Sequence, residues 1–139
     1  MSFREKSAWI TLLSVVVCFG LYFGALASGR IERFSMSSFH YGLICIIALI
    51  VLQIVLHVVA ALLNPRDARA PRDEREKMFE SRSHALGYYL LVIWMLGILV
   101  AVHFPTVRKL DVVYLAMLGL VVTTVVVAIA QIIQFRRGA

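Results

Sequence analysis

Four histidines are the side chains in this chain best suited to hold a metal or a haem: His40, His57, His84 and His103. Neutral imidazole is a common metal ligand and a frequent axial ligand of haem iron. The four lie near the ends of two long apolar runs that are expected to be antiparallel helices. They would therefore form an outer pair, His40 with His103, and an inner pair, His57 with His84. A two-haem b-type cytochrome needs that arrangement. The spacing weighs against it. His40 and His57 are separated by 17 residues, about 25 Å along a helix, which puts both pairs close to the headgroups, where a haem would be poorly enclosed. No cofactor is therefore expected, and a haem or metal protein is the third reading of the chain. His57 is the deepest of the four and should face another helix rather than lipid.

Other chemistry is sparse. The sequence shows no paired carboxylates, no nucleophile with its base, no phosphate-cradling glycine loop and no HExxH-type metal motif, so an enzyme is not expected. Cys18 and Cys45 fall inside apolar runs and offer neither a CxxC site nor a disulfide framework. The apolar runs contain no Asp, Glu, Lys or Arg, whereas proton-coupled pumps generally need such a residue inside the membrane. Ser14, Gln53, Thr123, Thr124 and Gln131 are the main other polar side chains within the runs. They suit hydrogen bonding between helices better than a permeation path. A small channel or carrier is accordingly the second reading.

Small residues recur at helical spacing. Gly20, Gly24 and Ser28 repeat every four residues, and Gly97 and Ala101 repeat the interval. Such stripes let two helices approach closely. They are read as packing faces within a bundle, with a homodimer contact through the first span as the alternative. On that reading Gly24→Leu should overpack the closest contact of span one.

The elements that must position these residues follow from composition. Of the 139 residues 61% are hydrophobic and 16% are charged, against roughly 45–50% and 25% in soluble domains. An ordinary soluble globule and a disordered chain are both excluded. Charges leave four long gaps, between Lys6 and Arg30, Arg33 and Arg66, Arg82 and Arg108, and Asp111 and Arg136. Each exceeds the roughly 18 residues that mark a spanning helix. Spans are placed near 8–28, 40–63, 84–104 and 112–134, joined by a cytoplasmic loop at 64–83. The first is read as a true span, too long for the apolar core of a cleaved leader. The valine-rich run Val121–Val127 favours strand locally, but a lone strand cannot satisfy its backbone in lipid. The expected fold is all-α: residues 1–139 form a single transmembrane domain, an up-down-up-down four-helix bundle. A short third connection should make spans three and four antiparallel neighbours.

Turn chemistry supports these limits. Gly29 suits the end of span one, Ser37 and Ser38 can cap span two, and Pro65 and Pro105 should end spans two and three. Trp9, Tyr22, Tyr41, Tyr114 and Phe135 fit interfacial anchors, while Trp94 is deep enough for packing. The formal charge of +6 is confined to the connections, which favours anionic lipid headgroups over direct contact with nucleic acid.

The central connection is the most distinctive polar segment. From Pro71 onward it suits a helix, with proline and acids in the first turn and i,i+4 pairs between Arg72 and Glu76 and between Asp73 and Lys77. This helix should either lie along the interface or run directly into span three. Arg72, Asp73, Glu74, Arg75, Glu76, Glu80 and Arg82 are the candidate partner-binding residues, because so charged a segment exceeds what a mere connector requires. The run Asp73-Glu74-Arg75-Glu76 followed by Glu80-Ser81-Arg82, just before the third of four short spans, resembles an uncharacterised family of small predicted bacterial membrane proteins. Members are often encoded beside a helix-turn-helix regulator. The resemblance implies a bacterial inner-membrane protein with a transcription regulator as its partner. The leading expectation is a non-enzymatic membrane protein that presents this segment for regulator tethering, sensing or immunity.

Orientation follows from Lys and Arg alone. Arg4 and Lys6, the six basic residues from Arg66 to Arg82, and Arg136 and Arg137 lie on one side; Arg30, Arg33, Arg108 and Lys109 lie on the other. Ten against four places both termini in the cytoplasm. Reporters fused after Ala139 or inserted at Ala70 should therefore signal cytoplasm, and one inserted at Ser37 the opposite side. A periplasmic signal from Ala70 would end the four-span topology.

Overall fold

Helix accounts for every regular element among the described residues, the valine-rich run included. The computed structural model describes residues 3–32, 35–63, 65, 74–104 and 111–137. In chain order the helices are α1 (Phe3–Ala27), α2 (Met36–Leu63), α3 (Glu74–Ala101) and α4 (Asp111–Arg137). All four are long and apolar enough to cross a membrane. The shortest has 25 residues, about 37 Å at the helical rise, against a hydrocarbon thickness of about 30 Å.

The chain divides into two compact units, Met1–Pro71 and Arg72–Ala139. In the first, α1 packs on α2; in the second, α3 packs on α4. Both pairs are antiparallel. Ser7 near the start of α1 meets His57 near the end of α2, and Phe79 near the start of α3 meets Phe135 near the end of α4. The expected neighbour relation of spans three and four is present.

Local chemistry sets the helix ends. α1 closes with a six-to-one bond from the Arg30 N–H to the Ala25 carbonyl and a second bond from the Gly29 N–H to Leu26. That closure requires a left-handed residue, and Gly29 supplies it at φ 71°. α2 begins differently from expectation. Ser35, not Ser37 or Ser38, is its cap: its Oγ accepts the Ser38 N–H at 3.1 Å and donates to the Glu32 carbonyl at 2.8 Å. The hydroxyl three residues before the first free N–H reaches it, whereas Ser38 already lies inside the helix. α3 begins ten residues before the apolar span, because Glu, Arg, Lys and Met are good helix formers outside lipid as well.

Burial on α1 follows one stripe. Ala8, Val15, Phe19, Tyr22 and Leu26 are buried, at the three- and four-residue spacing of a single helix face. α2 is the opposite case, with none of its most apolar stretch buried. So apolar and exposed a stretch has the composition of a lipid-facing surface, although α2 still packs on α1.

Within each hairpin the close approaches run through Gly42, Gly87 and Gly119. Gly20, Gly24 and Gly97 have nothing within 4 Å of where a Cβ would stand, so neither hairpin packs through them. Gly24→Leu would therefore overpack nothing inside the α1–α2 pair. Contact runs instead through Gly42, where an added Cβ would stand 3.5 Å from the Tyr22 ring, and most tightly through Gly87 and Gly119, whose added Cβ atoms would overlap Val127 and Trp94. Ser28 also points elsewhere, its hydroxyl donating to the Ala25 carbonyl of its own helix at 3.1 Å, and Ala101 is the last residue of α3. Tyr22 is buried against Gly42 instead of anchoring at an interface, whereas Trp94 packs as expected.

Gly119→Leu should thus force Trp94 out of its seat and destabilise the α3–α4 hairpin by about 1–3 kcal/mol. Gly97→Leu, facing open space, should leave it unchanged. Thermal unfolding of the purified protein in detergent separates them, and equal unfolding temperatures for native chain and Gly119→Leu would remove Trp94 from the packing account.

Candidate functional site

Three places combine polar chemistry with defined geometry: a serine–histidine tie, the charged start of α3, and a cleft at the end of α1.

The tie joins residues 50 positions apart. Ser7 Oγ lies 2.8 Å from His57 Nε2, and His57 Nδ1 lies 2.7 Å from the Gln53 carbonyl. A carbonyl can only accept, so Nδ1 carries the proton of the neutral ring. Nε2 is then left to accept from the Ser7 hydroxyl. His57 therefore faces the neighbouring helix, as its depth suggested. A hydroxyl donating to an imidazole whose other nitrogen is held is the hydrogen-bond pattern of a nucleophile and its base. Sequence inspection finds no such pair, because the two side chains meet only when α1 folds back on α2. The pair lies at the opposite end of the hairpin from the cleft described below, and its evident physical role is to fasten the two helices.

The other histidines do not join it. His40 and His103 are exposed and donate Nδ1–H to the carbonyls of Met36 at 2.6 Å and Leu99 at 2.9 Å, one turn back on their own helices. His84 is exposed on α3. A haem or metal on His57 would first have to displace Ser7. Among the described residues no three His, Cys, Asp or Glu side chains converge as a metal site.

At the start of α3 the candidate partner-binding residues separate by face. Glu74, Arg75, Lys77 and Arg82 are exposed, whereas Glu76 and Glu80 are half-buried. Arg72 and Asp73 lie outside the described residues, and with them both expected i,i+4 pairs. The packed side of this segment carries Phe79, whose ring meets Phe135 edge to face with centroids 6.2 Å apart, and the fully buried Ser83. The exposed side consequently carries one acid and three bases.

The cleft belongs to the α1–α2 unit and has a volume of about 300 Å³. It is lined by Leu21, Tyr22 and Ala25 of α1, by Tyr41 and Cys45 of α2, and by the exposed Arg30 and the buried Ile31 after the end of α1. The Gly29 closure places Arg30 there. Sequence reading treated Tyr41 only as an anchor and missed the cleft, which forms only where the end of α1 lies against the start of α2.

A scan against protein-family models and searches of curated proteins and of solved structures find nothing similar to this chain.

The Ser7–His57 tie should carry a measurable coupling. Ser7→Ala, His57→Phe and the double variant, compared by unfolding in detergent micelles, should show a pairwise term of about 0.5–1.5 kcal/mol. Strict additivity would mean that the bond contributes nothing to the hairpin.

Proposed function

We propose that this is a multi-pass bacterial inner-membrane protein whose four helices cross the bilayer with both termini in the cytoplasm. In this reading it is non-enzymatic and offers the charged start of α3 to a cytoplasmic partner. The observation that supports the reading is the continuity of α3. One helix of 28 residues, Glu74–Ala101, joins the charged turns to an apolar stretch of spanning length. A connector needs no such rigid extension. The segment 74–83 adds nearly three turns, roughly 15 Å, and holds its charges in fixed register with the spanning part.

The chemistry of the exposed side describes the partner. Arg75, Lys77 and Arg82 are exposed with only Glu74 among them, so a complementary surface would be acidic. The family resemblance on Asp73-Glu74-Arg75-Glu76 makes a transcription regulator the first candidate, in tethering, sensing or immunity. The open glycine face of α1, Gly20 with Gly24, leaves room for a second copy of the chain to pack in the membrane.

Arg75→Gln with Arg82→Gln tests the reading. Both positions are exposed, so the expected cost to stability is within about 0.5 kcal/mol. Eight basic residues against four would still orient the chain. A photo-crosslinking residue at Met78, exposed on the same helix, should capture a discrete cytoplasmic protein in cells expressing the native sequence and lose it in the double variant. An unchanged adduct and an unchanged cellular phenotype would discard docking in favour of the small channel or carrier.

A further inference from the structure

We propose that the cleft between the end of α1 and the start of α2 is a phospholipid site, with one acyl chain between the helices and the lipid phosphate on Arg30. The proposal rests on the membrane reading above and adds a specific ligand to it.

Three features carry it. First, the walls are apolar where a chain would lie and polar only at the mouth. Leu21, Ala25 and Cys45 line the depth, while Arg30 stands at the opening. Leu21 lies two turns below Gly29, roughly 12 Å deeper, so the cleft follows the helix axis as an acyl chain does. Second, it opens sideways instead of into the hairpin. Leu21 is 70% and Tyr41 52% exposed, while Tyr22 beneath them is 4% exposed. Tyr22 therefore makes the floor, held against Gly42 and in weak polar contact with Ser38 at 3.4 Å. Third, the cation is exposed and has no acidic partner among the described residues. Arg30 forms no ion pair among the described residues, Glu32 included, although Glu32 is exposed two residues away. A guanidinium binds phosphate through paired N–H donors and suits that group better than an ammonium would. Tyrosine at the same level is the usual neighbour of a headgroup. The volume, at the low end for ligand pockets, fits a single chain and not a bulky solute.

The chemistry commits to a lipid drawn from the bilayer, and the phosphate is the discriminating group. Phosphatidylglycerol and diacylglycerol carrying the same diazirine-bearing acyl chain, each incorporated in phosphatidylcholine vesicles with the full-length protein, supply the test. On irradiation both lipids should label the exposed apolar face of α2, which serves as the internal reference. Relative to that reference, phosphatidylglycerol should enrich label on the peptides holding Leu21–Ile31 and Tyr41–Cys45, and diacylglycerol should not. Arg30→Gln should lower the enrichment roughly tenfold, equivalent to about 1.4 kcal/mol. Ala25→Trp should abolish it by filling the cleft while α2 remains labelled. Equal enrichment by diacylglycerol, or enrichment that survives Arg30→Gln, overturns the phosphate site and leaves the membrane reading standing. Absence of label from the α2 face with either lipid overturns both.

Discussion

A polar side chain on an apolar helix of membrane-spanning length has few partners to bond, and much of the side-chain hydrogen bonding among the described residues follows from that constraint. The cheapest remedy is the carbonyl one turn back on the same helix. Ser14 donates to Ile10, Ser83 to Phe79 and Thr124 to Leu120 at 2.6 to 2.9 Å, and three histidines do the same through Nδ1. A hydroxyl satisfied in this way can be buried completely, as Ser83 is, without a partner on another helix. Such residues say little about which helices meet.

The information about pairing is carried by the few polar groups that reach across. Ser7 meets His57 in the first hairpin, and Trp94 Nε1 donates to the Leu115 carbonyl at 2.9 Å in the second. Each is reinforced by shape. Trp94 can reach Leu115 because Gly119 has no side chain beneath its ring, and Tyr22 packs close to Gly42. In lipid, where apolar burial between helices carries little driving force, close packing and a small number of interhelical hydrogen bonds have to suffice.

Two consequences bear on function. Because α3 does not break between its charged and apolar parts, anything that binds Arg75 or Arg82 is coupled directly to the spanning part of that helix. Because α1 ends in a left-handed turn at Gly29, a guanidinium stands over an apolar cleft that would otherwise be an empty seam. The proposed docking segment and the proposed lipid cleft each arise from a helix terminus.

The four helices of spanning length, their approximate limits and the end at Gly29 were legible in the sequence, because they depend on local quantities: runs without charge and a residue that tolerates positive φ. The direct passage of the charged segment into the third span was one of two readings that composition allowed. Packing was not legible. Gly20, Gly24 and Gly97 have the spacing and composition of a contact face but take no part in the contact within either hairpin, while Gly42, Gly87 and Gly119 meet neighbouring side chains. Spacing along a helix states which residues share a face, but not which way that face turns. On helices that are apolar all round, no hydrophobic asymmetry decides the rotation. The same limit hid Ser7 from His57 and Arg30 from Tyr41. Those relations depend on how one helix is rotated and slid against another, and bulky rings seated over glycines settle that only once both helices are present.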